Sequence, residues 1–169
     1  MAKIASIELL ESTRPLHDIL ETCKNICKLA GISDQNTWLD LEIKGYLVKY
    51  KTRDDLYHNL PSYRKTSCKY YDLYGKLISL PPSMVDLFGR STVYHPIKEL
   101  ESNYQIIVEA QFLEKFNKFI SEHGMDQASK NLRIHEARIS KDDIKHVLDG
   151  VKQRVQELLD MIISLLEMQ

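Results

Sequence analysis

Glycine and proline are scarce in this chain, 6 and 5 among 169 residues. So few breakers exclude collagen-like and low-complexity sequences and leave room for regular structure. Disulfide chemistry is equally poorly supplied. The three cysteines, Cys23, Cys27 and Cys68, are too few and odd in number for a covalent framework, which points to a reducing compartment. Neither sign of charge dominates: 23 lysines and arginines face 24 aspartates and glutamates, a net charge of −1. That balance argues against a dedicated duplex nucleic-acid binder, whose footprint is a basic excess. No stretch approaches the ~20 apolar residues of a membrane-spanning helix, and Met1–Ser6 opens no apolar run of the kind a signal peptide carries. These absences predict a cytoplasmic protein with no membrane partner. The site grammars G-x-x-x-x-G-K-[ST], G-x-G-x-x-G, H-E-x-x-H and G-x-S-x-G are missing too, so neither a cofactor nor a metal is expected.

What is present is apolar material with a helical rhythm. The 43% hydrophobic content suits a core that buries roughly 68–70% of the unfolded surface at this length. Ile4, Ile7 and Leu10 predict a short helix over 2–12. Pro15 restarts the chain, and a second helix runs to Ala30 before Gly31. Its stripe of Leu16, Ile19, Leu20, Cys23, Ile26, Cys27 and Ala30 makes the two cysteines buried hydrophobes rather than half of a metal site. Ser33 or Asp34 can cap a third helix through Tyr50, with Trp38, Leu41, Gly45 and Val48 on its inner face.

After Lys51 the rhythm breaks. Arg53-Asp54-Asp55 reads as a solvated spacer, and Thr66–Tyr74 as an aromatic strand closed by Gly75. Leu77–Leu80 reads as extended, with short helical turns at Ser83–Phe88 and after Pro96. Tyr104–Val108 predicts a strand, Phe112–Glu122 a helix, and Leu132, Ile134 and Ile139 a further strand of poor alternation. The last segment has the cleanest pattern. Ser140 and Asp143 form a cap, and Ile144, Leu148, Val151, Val155, Leu158, Ile162 and Leu165 follow in steps of four and three. This heptad seam packs lengthwise against other helices of the chain or against a second copy. Gly150 lies within it and weakens the helix by about 0.8–1.0 kcal/mol relative to alanine, which packing must offset.

The expected architecture is α+β and mainly helical, one domain over 1–169. It comprises N-terminal helices over 2–51, a mixed section with a small sheet over 60–139 and a long terminal helix over 140–169.

Three patches stand out. They are Trp38-Leu39-Asp40-Leu41-Glu42-Ile43-Lys44-Gly45-Tyr46, then Leu60-Pro61-Ser62-Tyr63-Arg64, then Val147-Leu148-Asp149-Gly150-Val151-Lys152-Gln153-Arg154-Val155. In that order and spacing they resemble the AbiTii domain family, named for bacterial abortive-infection systems. The resemblance implies a role in defence against bacteriophage, and it carries over no catalytic residues. The patches also have a physical reading. Trp38, Glu42 and Gly45 share one helix face, and a carboxylate there is costly to bury alone. Arg64, or else donors in the Pro61–Tyr63 backbone, is its predicted partner, Arg64 because a guanidinium fork meets a carboxylate with two hydrogen bonds. Trp38, Glu42, Gly45, Tyr46, Pro61, Tyr63 and Arg64 are therefore expected to pin the loop onto the bundle.

The function expected from this is non-enzymatic: sensing, regulation or assembly in defence, through contact with a second copy or with an effector protein. Two rivals come from other classes. An arginine followed by a histidine after four residues suits a ribonuclease toxin, and Arg53–His58 and Arg90–His95 both match, with Arg53 and His58 the preferred pair. Tyr70, Tyr71 and Tyr74 could instead stack the bases of a single-stranded nucleic acid; that partner is not favoured.

Overall fold

The computed structural model describes residues 1–80, 82, 84–85, 89–103, 105–108, 110–124 and 130–168. Within them lie seven α-helices, α1 (Ala2–Leu10), α2 (Leu16–Leu29), α3 (Asn36–Lys44), α4 (Arg53–Asn59), α5 (Ile97–Ser102), α6 (Ala110–His123) and α7 (Lys141–Glu167). Six short strands accompany them: β1 (Lys65–Ser67), β2 (Lys69–Tyr71), β3 (Leu77–Ile78), β4 (Arg90–Thr92), β5 (Ile106–Ile107) and β6 (Glu136–Ile139). The fold is mainly helical α+β with a long C-terminal helix, as the composition implies.

The frame is α7. Ser140 follows β6 directly and closes a capping box: its hydroxyl accepts from Asp143 N–H, and its own N–H donates to the Asp143 carboxylate at 3.1 Å. At ~1.5 Å per residue the 27-residue helix spans about 40 Å. Along it pack α1, α2 and α5. Of the seven heptad positions, Ile144, Val151, Val155, Leu158 and Ile162 are buried in this chain's own core, Leu148 is half-buried and Leu165 is exposed. The seam is occupied in cis.

The largest apolar cluster joins α1, α2, α5 and α7. Cys23 and Cys27 lie inside it. Burial, then the neighbouring Cys27, pushes the Cys23 thiol up to about 12, so both behave as hydrophobes. The N-terminus of α2 has no local cap. Instead the Glu101 carboxylate of α5 accepts from Leu16 N–H at 2.5 Å and His17 N–H at 3.2 Å, a negative charge where the helix dipole favours one.

Two antiparallel sheets fill the middle section. β1 pairs with β4, and the second sheet has the order β3-β2-β6-β5, with Tyr70 opposite Ala137 and Ile106 opposite Ile139. Behind the larger sheet, α6 lays Leu113, Phe116 and Ile120 against Tyr70, Ile134 and Ala137. The Asn117 side-chain amide holds this union: it donates to Ile134 C=O at 2.7 Å and accepts from Ile134 N–H at 2.8 Å.

Several expectations require correction. The outward side of α1 carries Ile4, Ile7 and Leu10, and its inward side carries Ala2, Ala5 and Leu9. Close packing on α7 selects the small ones, because alanine lets two helix axes approach. The third helix ends at Lys44 rather than Tyr50, which leaves Val48 exposed. Gly45 turns the chain at φ +82, and a Cβ there would lie 3.0 Å from both Pro96 Cδ and Tyr94 O. Arg53–Asn59 is a helix although the helical rhythm breaks there, and Arg53, Asp54 and Asp55 are exposed on it as expected; Thr52 caps it, its hydroxyl accepting from Asp55 N–H at 3.1 Å. The expected strand Thr66–Tyr74 divides at Cys68, its two halves entering different sheets, and Tyr74 is exposed at a turn tip. Arg90–Thr92, to which no element was assigned from the sequence, pairs with β1 as β4. Ser83 and residues 86–88 of the expected turn at Ser83–Phe88, and Tyr104, lie outside the described residues.

Candidate functional site

Glu42 and Arg64 sit at the centre of the molecule with no exposed surface. Glu42 comes from the last turn of α3, and Arg64 from a 3-10 turn over Ser62–Arg64 that Pro61 opens. The guanidinium meets the carboxylate through Nε at 3.1 Å and Nη2 at 2.5 Å to Oε2. Its remaining nitrogen, Nη1, donates to the Val93 carbonyl at 2.5 Å and the His95 carbonyl at 2.9 Å. Arg64 thus ties α3 to the segment that follows β4.

The other carboxylate oxygen is also crowded with donors. Tyr46 OH and Tyr63 OH each donate to Oε1 at 2.7 Å, and Trp38 Nε1 reaches it at 3.2 Å while donating to Tyr63 OH at 2.9 Å. A buried ion pair holds only when desolvation is repaid by such hydrogen bonds. Burial first, and then the Glu42 charge, pushes both tyrosine hydroxyls well above their ordinary range. They are donors at any physiological pH.

The third sequence patch closes the knot from α7. Gly150 leaves room for Tyr63: a side chain there would overlap Tyr63 Cβ and lie 2.6 Å from its Cγ. One turn further on, the Arg154 guanidinium stacks 4.3 Å from the Trp38 ring centroid. The Arg64 guanidinium likewise lies 4.8 Å from the Tyr46 ring. Trp38, Glu42, Gly45, Tyr46, Pro61, Tyr63 and Arg64 therefore converge, joined by Gly150 and Arg154. Both charges are paired and sealed from water, so the arrangement supplies rigidity rather than a group free to take a proton or bind a ligand. The partners that sequence reasoning missed are the backbone carbonyls of Val93 and His95, which leave no trace in residue type. Arg154 was legible, since it lies four residues from Gly150 on the same helix face.

The remaining candidates are scattered. Arg53 lines a cavity, and its Nη2 donates to Arg90 C=O at 2.9 Å. His58 is exposed and lies outside that cavity's lining, so the two do not form one site. At about 100° of turn per residue, five positions set them on different faces of α4. Arg90 and His95 both line the cavity, His95 with its ring stacked on Tyr94 at 4.3 Å. Tyr70 is buried against Phe116 at 5.2 Å, Tyr71 lies under the Arg138 guanidinium at 4.5 Å, and Tyr74 stands in water. The three rings make no common platform. Among the described residues no group of three or more histidine, cysteine or carboxylate side chains could hold a metal, and no helix is long and apolar enough to cross a membrane.

Fold and knot together define a mainly helical α+β protein whose separate segments are locked by one buried ion-pair network. The chain matches the AbiTii family over residues 6–167, nearly its whole length, and belongs to that family. Membership suggests a role in abortive-infection defence against bacteriophage. No curated protein and no solved structure shows a significant match to it.

Proposed function

We propose that this protein is a non-enzymatic sensing, regulatory or assembly component of an anti-phage defence system, and that it works through contact between two copies of itself. The observation that carries this reading is the outward apolar face of helix α1. Its side chains Ile4, Ile7 and Leu10 are 62%, 54% and 71% exposed, while its alanines face the core. The apolar face continues onto the end of α7, where Leu165, Leu166 and Met168 are exposed and a Lys3–Glu167 bond of 2.7 Å sets the two helix ends side by side. Contiguous apolar surface of this kind marks an interaction site.

A second copy fits the charges. Lys3 lies at the start of the face and the exposed Glu11 at its end, so two α1 helices running antiparallel across a two-fold axis set each lysine against the other's glutamate. This is the self-complementary arrangement that a symmetric dimer requires. Five of the heptad residues, Ile144, Val151, Val155, Leu158 and Ile162, are buried inside the chain, and the proposed interface lies on α1 and the helix tail, where Leu165 is exposed.

Light scattering on the purified protein and on Ile7→Glu tests this directly. The expected result is a dimer mass for the wild type, a monomer mass for the variant, and an unchanged circular-dichroism spectrum at low temperature, with the midpoint of thermal unfolding concentration-dependent for the wild type alone. Phage plating on bacteria carrying the gene among its natural neighbours should then show protection lost with Ile7→Glu. A monomeric wild type whose protection still depends on Ile7 would replace the second copy with an effector protein. Full protection by Ile7→Glu would remove this face from the function altogether.

A further inference from the structure

A cavity of about 350 Å3 lies where the molecule's three apolar clusters stop short of one another. Ile106 and Ile139 bring the first cluster to its wall, Cys68 and Phe112 the second, and Leu56 and Tyr94 the third. Protein interiors contain few voids larger than a water molecule. An apolar cavity of about 150 Å3 already takes up a benzene ring, so this one has room for two fused rings. It lies apart from the Glu42–Arg64 knot, neither of whose charged residues lines it.

A polar group in its wall has no partner. Among the described residues nothing hydrogen-bonds to the hydroxyl of Thr92, a cavity-lining residue only 8% exposed. Thr92 shares a face of β4 with Arg90. The Arg90 guanidinium lies 5.9 Å from the Tyr57 ring, which sets both residues on the side of the strand that meets α4. A hydroxyl buried without a partner costs free energy, and a ligand that brings a hydrogen-bonding group of its own removes that cost. The charged residues of the wall are already engaged. Arg53 Nη2 donates to Arg90 C=O at 2.9 Å and Arg90 Nη1 to Tyr57 OH at 3.4 Å, and these two and His95 make further contacts. On the floor, burial pushes the Cys68 thiol up to about 11 and raises the Tyr70 hydroxyl too, so both are uncharged at neutral pH. An ion entering this space would give up its hydration to groups that already have partners.

We propose that this cavity binds an uncharged bicyclic aromatic alcohol, its rings lodged among Leu56, Tyr57 and Phe112 and its hydroxyl paired with that of Thr92. Aromatic side chains attract a planar ring in offset or edge-on contact, by more than its buried area alone supplies. Two hydroxyls can pair whichever of them gives the proton, since each both donates and accepts. Small-molecule pockets combine a mostly apolar lining with a few polar groups that fix orientation, and Thr92 is such a group. This inference stands apart from the self-association reading, since no described cavity residue belongs to α1 or to the tail of α7.

The test is calorimetric titration of the full chain at neutral pH with 2-naphthol, with phenol, which is half its size, and with 2-naphthoate, which carries a negative charge instead of the hydroxyl. The expected result is saturable binding of 2-naphthol at submillimolar concentration, about tenfold or more tighter than either of the others. Thr92→Val keeps the side chain's shape and removes its hydroxyl, and it should weaken 2-naphthol by about threefold to tenfold. Leu56→Trp, which fills the cavity, should abolish binding, and Leu73→Ser, at the exposed turn between β2 and β3, should leave it unchanged. No binding of 2-naphthol at millimolar concentration overturns the proposal. So does wild-type affinity in Leu56→Trp, which would put the ligand elsewhere, or in Thr92→Val, which would remove the hydroxyl pair; circular dichroism verifies that both variants are folded. Should either unfold, the intact protein decides alone: phenol or 2-naphthoate bound as tightly as 2-naphthol overturns the proposal.

Discussion

The ring of Tyr63 occupies the space that any side chain at Gly150 would need. A loop residue thereby enters the groove of the longest helix, and its hydroxyl continues to Glu42 at 2.7 Å. The glycine is a cost to the helix and a condition of the knot.

Alanine at position 150 sets two magnitudes against each other. Helix propensity gains about 0.8–1.0 kcal/mol, while overpacking costs typically about 1–3 kcal/mol. The overlapping atoms, Cβ and Cγ of Tyr63, lie next to backbone and cannot swing aside, so the cost wins. Gly150→Ala should lower stability in urea unfolding by up to about 2 kcal/mol. In a Tyr63→Gly background the same change should turn stabilising. Tyr63→Ala would not serve, since its Cβ is itself one of the clashing atoms.

Removing one half of the central ion pair should be far more damaging than altering a surface bridge. Glu42→Ala strands a buried guanidinium and the hydroxyls of Tyr46 and Tyr63, and a loss of about 3–5 kcal/mol is expected. The exposed Lys145–Asp149 pair, 2.5 Å apart on α7, should cost under about 1 kcal/mol when Lys145 is replaced by alanine. A double-mutant cycle over Glu42→Gln and Arg64→Met reads the coupling between the two charges. Near-additive losses would show that the pair does not hold the segments together.

Acid should weaken the start of α7. Desolvation pushes the Asp143 carboxyl up. Hydrogen bonds from the Ser140 and Thr66 hydroxyls and the Ser140 N–H outweigh that push, and the net shift is downward. A group whose folded value is depressed contributes stability fully above its unfolded value, about 3.9 for aspartate. That contribution is lost as pH falls through the folded value. The stability difference between wild type and Asp143→Asn should therefore be constant near neutrality and shrink below about pH 4. Urea midpoints across that range measure it, and a constant difference down to pH 2 would contradict the assignment.

Much of this was readable from residue order. The stripe of Leu16, Ile19, Leu20, Cys23, Ile26 and Cys27 is buried as its spacing requires, only its last member Ala30, at the helix end, being exposed, and Ser140 with Asp143 forms the cap its sequence announces. The meeting of Glu42 with Arg64 also follows from local chemistry: a carboxylate on an apolar helix face needs a cation, and a cation follows a proline turn. Legibility fails where burial does not follow side-chain size. α1 has apolar residues on both sides, so its sequence holds no preference for which side faces inward, and its close approach to α7 settles the matter in favour of alanine. Thr66–Tyr74 fails for a related reason, because β-propensity cannot say which neighbour each half of a strand will find.

Helix faces, caps and the terminal seam are local properties. They depend on spacings of three and four residues, which covalent geometry converts directly into shared faces. The cavity, the backbone carbonyls that complete Arg64 and the outward apolar face of α1 are products of assembly. Each depends on segments far apart in the chain arriving at one place, and shape complementarity among packed elements, rather than any pattern along the chain, chooses which surfaces are consumed and which are left over.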